Sequence, residues 1–179
     1  LQARNGVTNP MVFCVGQLAE VTKPASPVLA DPAILGNRFN NQLKAAAAQP
    51  VINVTLPATL NGQILPGAVD RYKFTARKGQ HLIVSTMARE LVPYISDAVP
   101  GWFQAVVALY DSKGKEVQYA GSYRFRPDPV LHYEVAEDGE YTLEIRDSIY
   151  RGREDFVYRV TVGELPFITS IFPLGAKAG

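Results

Sequence analysis

Arginines and aromatic residues recur together in three short stretches of this chain. Tyr123, Arg124, Phe125 and Arg126 form one, and Tyr150, Arg151 and Arg153 form a second. The single tryptophan, Trp102, stands with Phe103 in a third, a few residues after Tyr94. A guanidinium fork can hold a carboxylate by two parallel hydrogen bonds, and aromatic faces can stack on sugar or aromatic rings. Trp102, Tyr123, Arg124, Arg126, Tyr150, Arg151 and Arg153 are therefore the candidate ligand-binding residues. Acids lie in the same stretches: Asp97, Asp128, Asp147 and Asp155. Two readings stay open. The arginines and rings face a ligand, or arginine and aspartate pin the loops while the rings cap the core. Asp97, Asp147 and Asp155 are also the acids from which a calcium site could be built, since that ion takes about six to eight oxygens.

Catalytic constellations are missing. His81 and His132 each fall in an alternating, strand-like stretch, and no HExxH pattern accompanies them. There is no GxSxG elbow and no glycine-rich phosphate loop. Asp111-Ser112-Lys113-Gly114 starts like a calcium loop, but Lys113 places a cation where a ligand oxygen is needed. Asp128, Glu154 and Asp155 are acids a glycosidase pair could draw on; as turn and surface acids they need no such role. Asn53-Val54-Thr55 matches a glycosylation sequon inside a strand-like stretch. The expectation is a noncatalytic domain with no cofactor beyond such a calcium ion.

The elements that must position these loops read as strands. From residue 51 onward, short alternating runs are divided by turn signals, which argues for an all-β antiparallel sandwich. Residues 52 to 64 read as one or two strands around Pro57, with Asn61-Gly62 as a bend or bulge. In 70 to 76, Tyr72, Phe74 and Ala76 share one face. Strands are expected over 81 to 88, 105 to 110 (apolar throughout, so central), 116 to 120, 130 to 136, 141 to 146 and 156 to 162. Successive antiparallel strands reverse direction, so alternate connections share an end. The tight turns at Lys78-Gly79, 111 to 115 and 137 to 139 fall at one end. The long loops 65 to 69, 89 to 104, 121 to 129 and 147 to 155 fall at the other, where scaffolds tend to carry binding groups.

Formal charge nearly cancels, with 18 basic and 17 acidic residues giving +1. Net charge alone therefore supplies no field to recruit nucleic acid or an anionic membrane. No run approaches the roughly 18 apolar residues of a membrane span. The one cysteine, Cys14, sits in the apolar run 11 to 15 and reads as a buried strand thiol. Residues 1 to 50 read as a strand plus a linker rich in proline, with a short helix over 40 to 48, belonging to the end of a preceding domain. Residues 51 to 164 form the sandwich, and 165 to 179 a lead-out. The opening residues look like mid-protein sequence, so the chain reads as a piece of a larger one.

Four segments together resemble the bacterial pre-peptidase C-terminal domain. Val69 to Gln80 resembles its D-x-Y-x-F-x-x-x-x-G opening, and Leu109 to Gly114 its L-Y-D-x-x-G hairpin. Asp138 to Leu143 resembles D-G-x-Y-x-L, and Tyr158-Arg159-Val160 fits the closing Y-x-L strand. Order and spacing agree over residues 50 to 163. The resemblance implies a jelly-roll-like sandwich in exported bacterial proteins, extracellular, periplasmic or on the cell surface. It implies an accessory domain of a secreted peptidase or a large surface protein. The Gly101-Trp102-Phe103 and 150 to 156 segments resemble versions in large multidomain proteins of environmental bacteria such as planctomycetes. The acidic calcium-binding stretch of some relatives is largely missing from the matching region, 20 to 24 and 40 to 42. The expected partner is a polysaccharide, bound through the aromatic and arginine-rich loops. The alternative is a spacer or protein-interaction role among neighbouring domains.

Overall fold

Period-two alternation converts directly into buried and exposed faces. In strand β6 (Val69–Ala76), Asp70, Tyr72, Phe74 and Ala76 are buried, while Arg71 and Lys73 are half-buried and Thr75 is exposed. Twelve strands can be traced in the computed structural model, which describes residues 2–3, 6–7, 13–24, 50–92, 102–168, 170, 172–175 and 177. The others are β1 (Gln2–Ala3), β2 (Gly6–Val7), β3 (Ala19–Thr22), β4 (Ile52–Asn53), β5 (Ala58–Gln63), β7 (His81–Met87), β8 (Ala105–Tyr110), β9 (Glu116–Ala120), β10 (Val130–Glu134), β11 (Gly139–Asp147) and β12 (Val157–Gly163). Apart from the β1–β2 pair, they form two five-stranded sheets, ordered β10-β7-β12-β5-β3 and β4-β6-β11-β8-β9. Their apolar faces meet in one core that includes Leu60, Tyr72, Val84, Leu109, Leu143 and Val160. Packing two half-apolar sheets face to face is what defines a β-sandwich.

The expected all-β sandwich is borne out, and β8 lies inside its sheet between β11 and β9. Its edges hold a feature absent from the expectation. β3 pairs with β5 and β4 with β6 in parallel, so both sheets are mixed. The segment 52 to 63 supplies β4 to one sheet and β5 to the other. Asn61-Gly62 makes no bulge: both residues stay in register with β12. Gly62 is required for space, because a Cβ there would lie 2.2 Å from Tyr158 Oη. Cys14 also departs from its expected setting. Residues 13 to 16 form no strand, Phe13 and Val15 are exposed, and Cys14 is half-buried. The expected helix over 40 to 48 lies outside the described residues. Among the described residues, no helix is long and apolar enough to cross a membrane.

β3 belongs to the sandwich through a buried polar chain as well as its ladder. The Lys23 ammonium is bonded to Asp70, which is 2% exposed. Tyr158 Oη donates to Asp70 Oδ2 at 2.7 Å, and so accepts from Tyr72 Oη at 2.8 Å. Burial pushes the Asp70 carboxyl above its ordinary range, against the pull of Lys23. Burial likewise raises the Tyr72 phenol to about 12 and the Tyr158 phenol well above its usual value. Outside the core, Arg159 bonds Glu20 at 2.7 Å and Asn61 at 3.0 Å, holding the Glu20 carboxyl below its ordinary range.

Strand directions sort the connections as parity requires. At the tight-turn end, Lys78 N donates to Asp138 at 2.6 Å and Gly79 N to the Val135 carbonyl at 2.8 Å. Asp111 Oδ1 closes its turn by accepting from Lys113 N and Lys115 N. At the other end, the long loops bond to one another, which brings the candidate residues close.

Candidate functional site

The loop-rich end divides into two clusters of different character. The first is built on Asp147, the residue that continues the inward parity of Tyr141, Leu143 and Ile145 to the end of β11. Asp147 is fully buried, and a buried carboxylate must find donors. Its Oδ1 accepts from Ile149 N (3.2 Å), Arg151 N (3.0 Å) and Arg151 Nε (3.0 Å). Its Oδ2 accepts from Gln104 N (3.2 Å) and Arg151 Nη2 (3.0 Å). Arg151 Nη2 also donates to the Trp102 carbonyl at 2.6 Å. One aspartate and one arginine thus tie two loop segments together, 102–104 and 147–151. Arg153 forms a two-pronged pair with Asp155, both bonds 2.9 Å, and lies over the Phe156 ring at 5.0 Å. Main-chain bonds between Ile64 and Phe156, Arg153 and Ile64, and Gly67 and Tyr150 fasten the 64–68 loop to the same cluster. Gly152 permits that contact, since a Cβ there would come within 1.9 Å of the Leu65 carbonyl carbon.

On its arginine side this cluster is held by ion pairs within the protein. Trp102 is 7% exposed and belongs to the core, which corrects its expected role as a binding face. Its ring lies under Arg89 at 5.5 Å, and its Nε1 has no hydrogen-bond partner among the described residues. Arg151 and Arg153 are likewise engaged with acids and loop carbonyls. Tyr150 is about half exposed, with Arg146 over its ring at 4.8 Å and a φ of 60°. For the expected calcium set, Asp97 lies outside the described residues, as does Tyr94, and the other two acids serve different arginines. No group of three or more His, Cys, Asp or Glu side chains is placed to hold a metal among the described residues.

The second cluster is a two-residue turn beside a cleft. Tyr123 and Arg126 exchange backbone hydrogen bonds at 3.0 and 2.9 Å, leaving Arg124 and Phe125 at the tip. Arg124 takes a φ of 55°, a region where glycine or asparagine is the easy choice. Phe125 is fully exposed. Arg124 lies over the Tyr123 ring at 5.4 Å. Behind the turn, Asp128 accepts from Ala88 N (3.0 Å), Arg89 N (2.8 Å) and Glu90 N (3.1 Å). That carboxylate holds the 3-10 turn Arg89–Leu91 against the 121 to 129 loop, fixing one wall of the cleft relative to the other. It is a positioning group, with its oxygens turned to main-chain donors.

The cleft itself has a volume of about 880 Å³ and opens to solvent. Its described lining includes Tyr123, Arg124, Phe125 and Arg126 from the turn, Arg89 and Glu90, and Phe167. Phe167 reaches it from beyond β12, edge-on to Tyr123 at 5.6 Å and to His132 at 4.8 Å. Arg126 makes no side-chain hydrogen bond or ion pair among the described residues, and of the described candidates Trp102, Tyr150, Arg151 and Arg153 are not in the lining.

No family model matches the chain, and no curated protein does. Solved structures do. They include the pre-peptidase C-terminal domain of a collagenase from Bacillus anthracis, at 14% identity over 64% of this chain and 96% of that one, with a TM-score of 0.45. They also include PliG, a periplasmic inhibitor of g-type lysozyme. A mutant of the Escherichia coli protein matches at 17% identity, over 64% of this chain and all of that one, TM-score 0.41. The Salmonella Typhimurium protein matches at 19% over the same shares, TM-score 0.39.

Sequence reasoning named Asp128 only as a loop acid, without its main-chain role, and missed Asp70 as an organising acid. For Asp70 a signal existed: it shares the inward parity of Tyr72 and Phe74, so a buried charge and a partner were implied. The partner, Lys23, stands 47 residues away in a stretch with no periodicity. Phe167 gave no signal, since nothing in the spacing of 165 to 168 fixes where that segment returns.

Proposed function

We propose that this chain is a noncatalytic accessory domain of an exported bacterial protein, and that it binds polysaccharide in the cleft beside the 123 to 126 turn. The observation that carries this reading is the turn itself. A strained backbone presents a fully exposed phenylalanine and a stacked arginine at the mouth of an 880 Å³ cleft. Strain that persists in a tight turn motivates a functional reading of the residue that bears it. An exposed ring at a cleft mouth suits the apolar face of a sugar, and adjacent arginines suit its polar groups. The exported setting rests on the order and spacing of the four sequence motifs.

Retention of the 179-residue chain on insoluble polysaccharides tests this. Phe125→Ala and Tyr123→Ala are expected to reduce retention about tenfold, the loss of one stacked ring. Trp102→Phe is expected to leave it unchanged. Lack of retention on a broad panel would remove the reading. A second reading, a spacer or protein-interaction domain, is favoured by the satisfied Arg151–Asp147 and Arg153–Asp155 pairs. It predicts no retention, and stability that rises when adjoining domains are present.

A further inference from the structure

The buried lysine and aspartate between β3 and β6 stand within reach of a covalent bond. Lys23 directly follows β3, and its N–H still bonds the Asn61 carbonyl at 2.8 Å. Asp70 is the second residue of β6, in the opposite sheet. The lysine side chain is 10% exposed and the aspartate side chain 2%. Lys23 Nζ lies 2.5 Å from Asp70 Oδ1. One further carbon–oxygen bond length puts the nitrogen within about 4 Å of Cγ, close to the spacing of a near-attack conformer. Two opposite charges held out of water carry a desolvation penalty that their attraction need not offset.

The surroundings suit a neutral amide at this point. An ammonium has three N–H groups, and among the described residues Nζ meets Asp70 Oδ1 and, at 3.4 Å, the Gln63 carbonyl. An amide nitrogen has a single N–H, which the Gln63 carbonyl is placed to accept. The amide oxygen would be Oδ2, which already accepts from Tyr158 Oη at 2.7 Å. Burial holds the Tyr158 phenol well above its usual value, so at neutral pH it keeps its proton and donates. Tyr72 supports it from behind at 2.8 Å.

We propose that Lys23 and Asp70 condense into an isopeptide bond, an Nζ–Cγ amide that joins the end of β3 to β6. A proton first passes from the ammonium to Oδ1, leaving a neutral amine and a neutral acid. Burial favours the neutral form of this acid. The nitrogen lone pair then attacks Cγ, and the carbonyl π pair moves onto Oδ2, where Tyr158 Oη stabilises the oxyanion. The Cγ–Oδ1 bond breaks as the pair on Oδ2 re-forms the carbonyl. Oδ1 leaves as water, taking a second proton from nitrogen. One ammonium and one carboxylate thus give one amide and one water, with no oxidant, reductant or further reactant. Effective molarities of about 10⁵–10⁸ M between groups held in place offset the reluctance of an amine and an acid to condense in water. The bond closes the chain between residues 23 and 70 and fixes β3 to the sandwich. It does not depend on the polysaccharide reading. An amide does not titrate, so any pH dependence that Asp70 contributes belongs to the chain before closure.

The test is the mass of the intact 179-residue chain in denaturant. After incubation at neutral pH the chain is expected to weigh one water less than its sequence. Digestion should yield a branched peptide that tandem mass spectrometry assigns to Lys23 and Asp70. Lys23→Arg keeps the cation and should show the full mass. Tyr158→Phe removes the oxyanion donor and should slow closure at least about tenfold, followed by mass after cell-free synthesis. Unfolding midpoints report whether each variant is native, and the wild-type mass decides without either. Full mass in the native wild-type chain would overturn the proposal and leave an ordinary buried ion pair. Loss of water with Lys23 unmodified, the mark of a succinimide at Asp70, would overturn it too, as would a loss that persists in Lys23→Arg. A native Tyr158→Phe chain that closed as fast as wild type would overturn the role given to Tyr158.

Discussion

The Asp147 cluster and the 123 to 126 turn use the same residue types at the same end of the sandwich. Each has arginines, each has aromatic rings, and each has an aspartate that accepts several main-chain N–H groups. In the first, the arginine belongs to the aspartate: Arg151 and Asp147 share two side-chain hydrogen bonds, and the rings beneath them cap the core. In the second, Asp128 accepts from three main-chain N–H groups, and Arg126 makes no side-chain hydrogen bond or ion pair among the described residues. The difference lies in what the acid is paired with. A carboxylate reached by an arginine closes a loop cluster. A carboxylate reached by main-chain N–H groups builds a rigid support for the turn beside it.

The comparison is broken most directly at Asp147. Asp147→Ala leaves the Arg151 guanidinium, Gln104 N and Ile149 N without their acceptor, and loss of one partner of a buried pair costs about 3–5 kcal/mol. Urea unfolding should show that loss, with Asp147→Asn retaining part of the stability. Polysaccharide affinity under native conditions should not change. A folded Asp147→Ala chain that had lost binding would show the two clusters to be one site.

Gly152→Ala is the next largest effect. The new methyl group would meet the Leu65–Pro66 backbone, which cannot rotate away as a side chain would. Overpacking of this kind costs about 1–3 kcal/mol. The unfolding midpoint should fall while affinity at the cleft persists.

A smaller effect, absent at neutral pH, comes from the buried phenols, which serve as a reference for polar groups locked in the interior. The folded state holds the Tyr72 phenol at about 12, whereas the unfolded chain ionises near 10. Between those values the unfolded state binds fewer protons, so stability falls as pH rises through the window. Tyr72→Phe should flatten that fall, measured as unfolding midpoints against pH. Asp70 acts in the same direction at the acid end. Its raised pKa makes its contribution fullest below the ordinary carboxylate value and diminishes it as pH rises through the folded value.

Much of this was legible in the chain. Alternation in 70 to 76 and 141 to 146, with turns at Lys78-Gly79 and Asp138-Gly139, carried the sandwich, and parity alone placed the four long loops together. Of the two readings, pairing describes Arg151 and Arg153, while Tyr123, Arg124 and Arg126 stand in the lining of the cleft. Residue type could not assign them, because an arginine two to four residues from an aspartate can turn to it or away. What decides is burial, and burial of Asp147 follows from its position at the end of β11. β3 escaped notice because a four-residue edge strand is too short for a period to register. Trp102 was misassigned for a related reason: a ring in a loop stretch reads as surface, and this one turns back under Arg89 into the core.

The smallest effect on stability is also the sharpest test of the turn. Arg124 sits at a φ of 55°, where a side chain costs about 1–2 kcal/mol and glycine pays no such penalty. Glycine gives some of that back through unfolded-state freedom, about 0.5–1 kcal/mol. It also forfeits the stack on Tyr123, about 0.5–1 kcal/mol at an exposed site. The sum places Arg124→Gly within about 1 kcal/mol of wild type, on these same terms. Arg124→Ala loses the stack and keeps the backbone strain, so it should be less stable than the glycine variant, by up to about 1 kcal/mol. Both should weaken polysaccharide retention to the same degree, because both remove the same guanidinium. If Arg124→Gly bound as wild type does, the strained backbone would have no tie to recognition. The turn would then be a support of the same kind as the Asp147 cluster, and the contrast between the two regions would disappear.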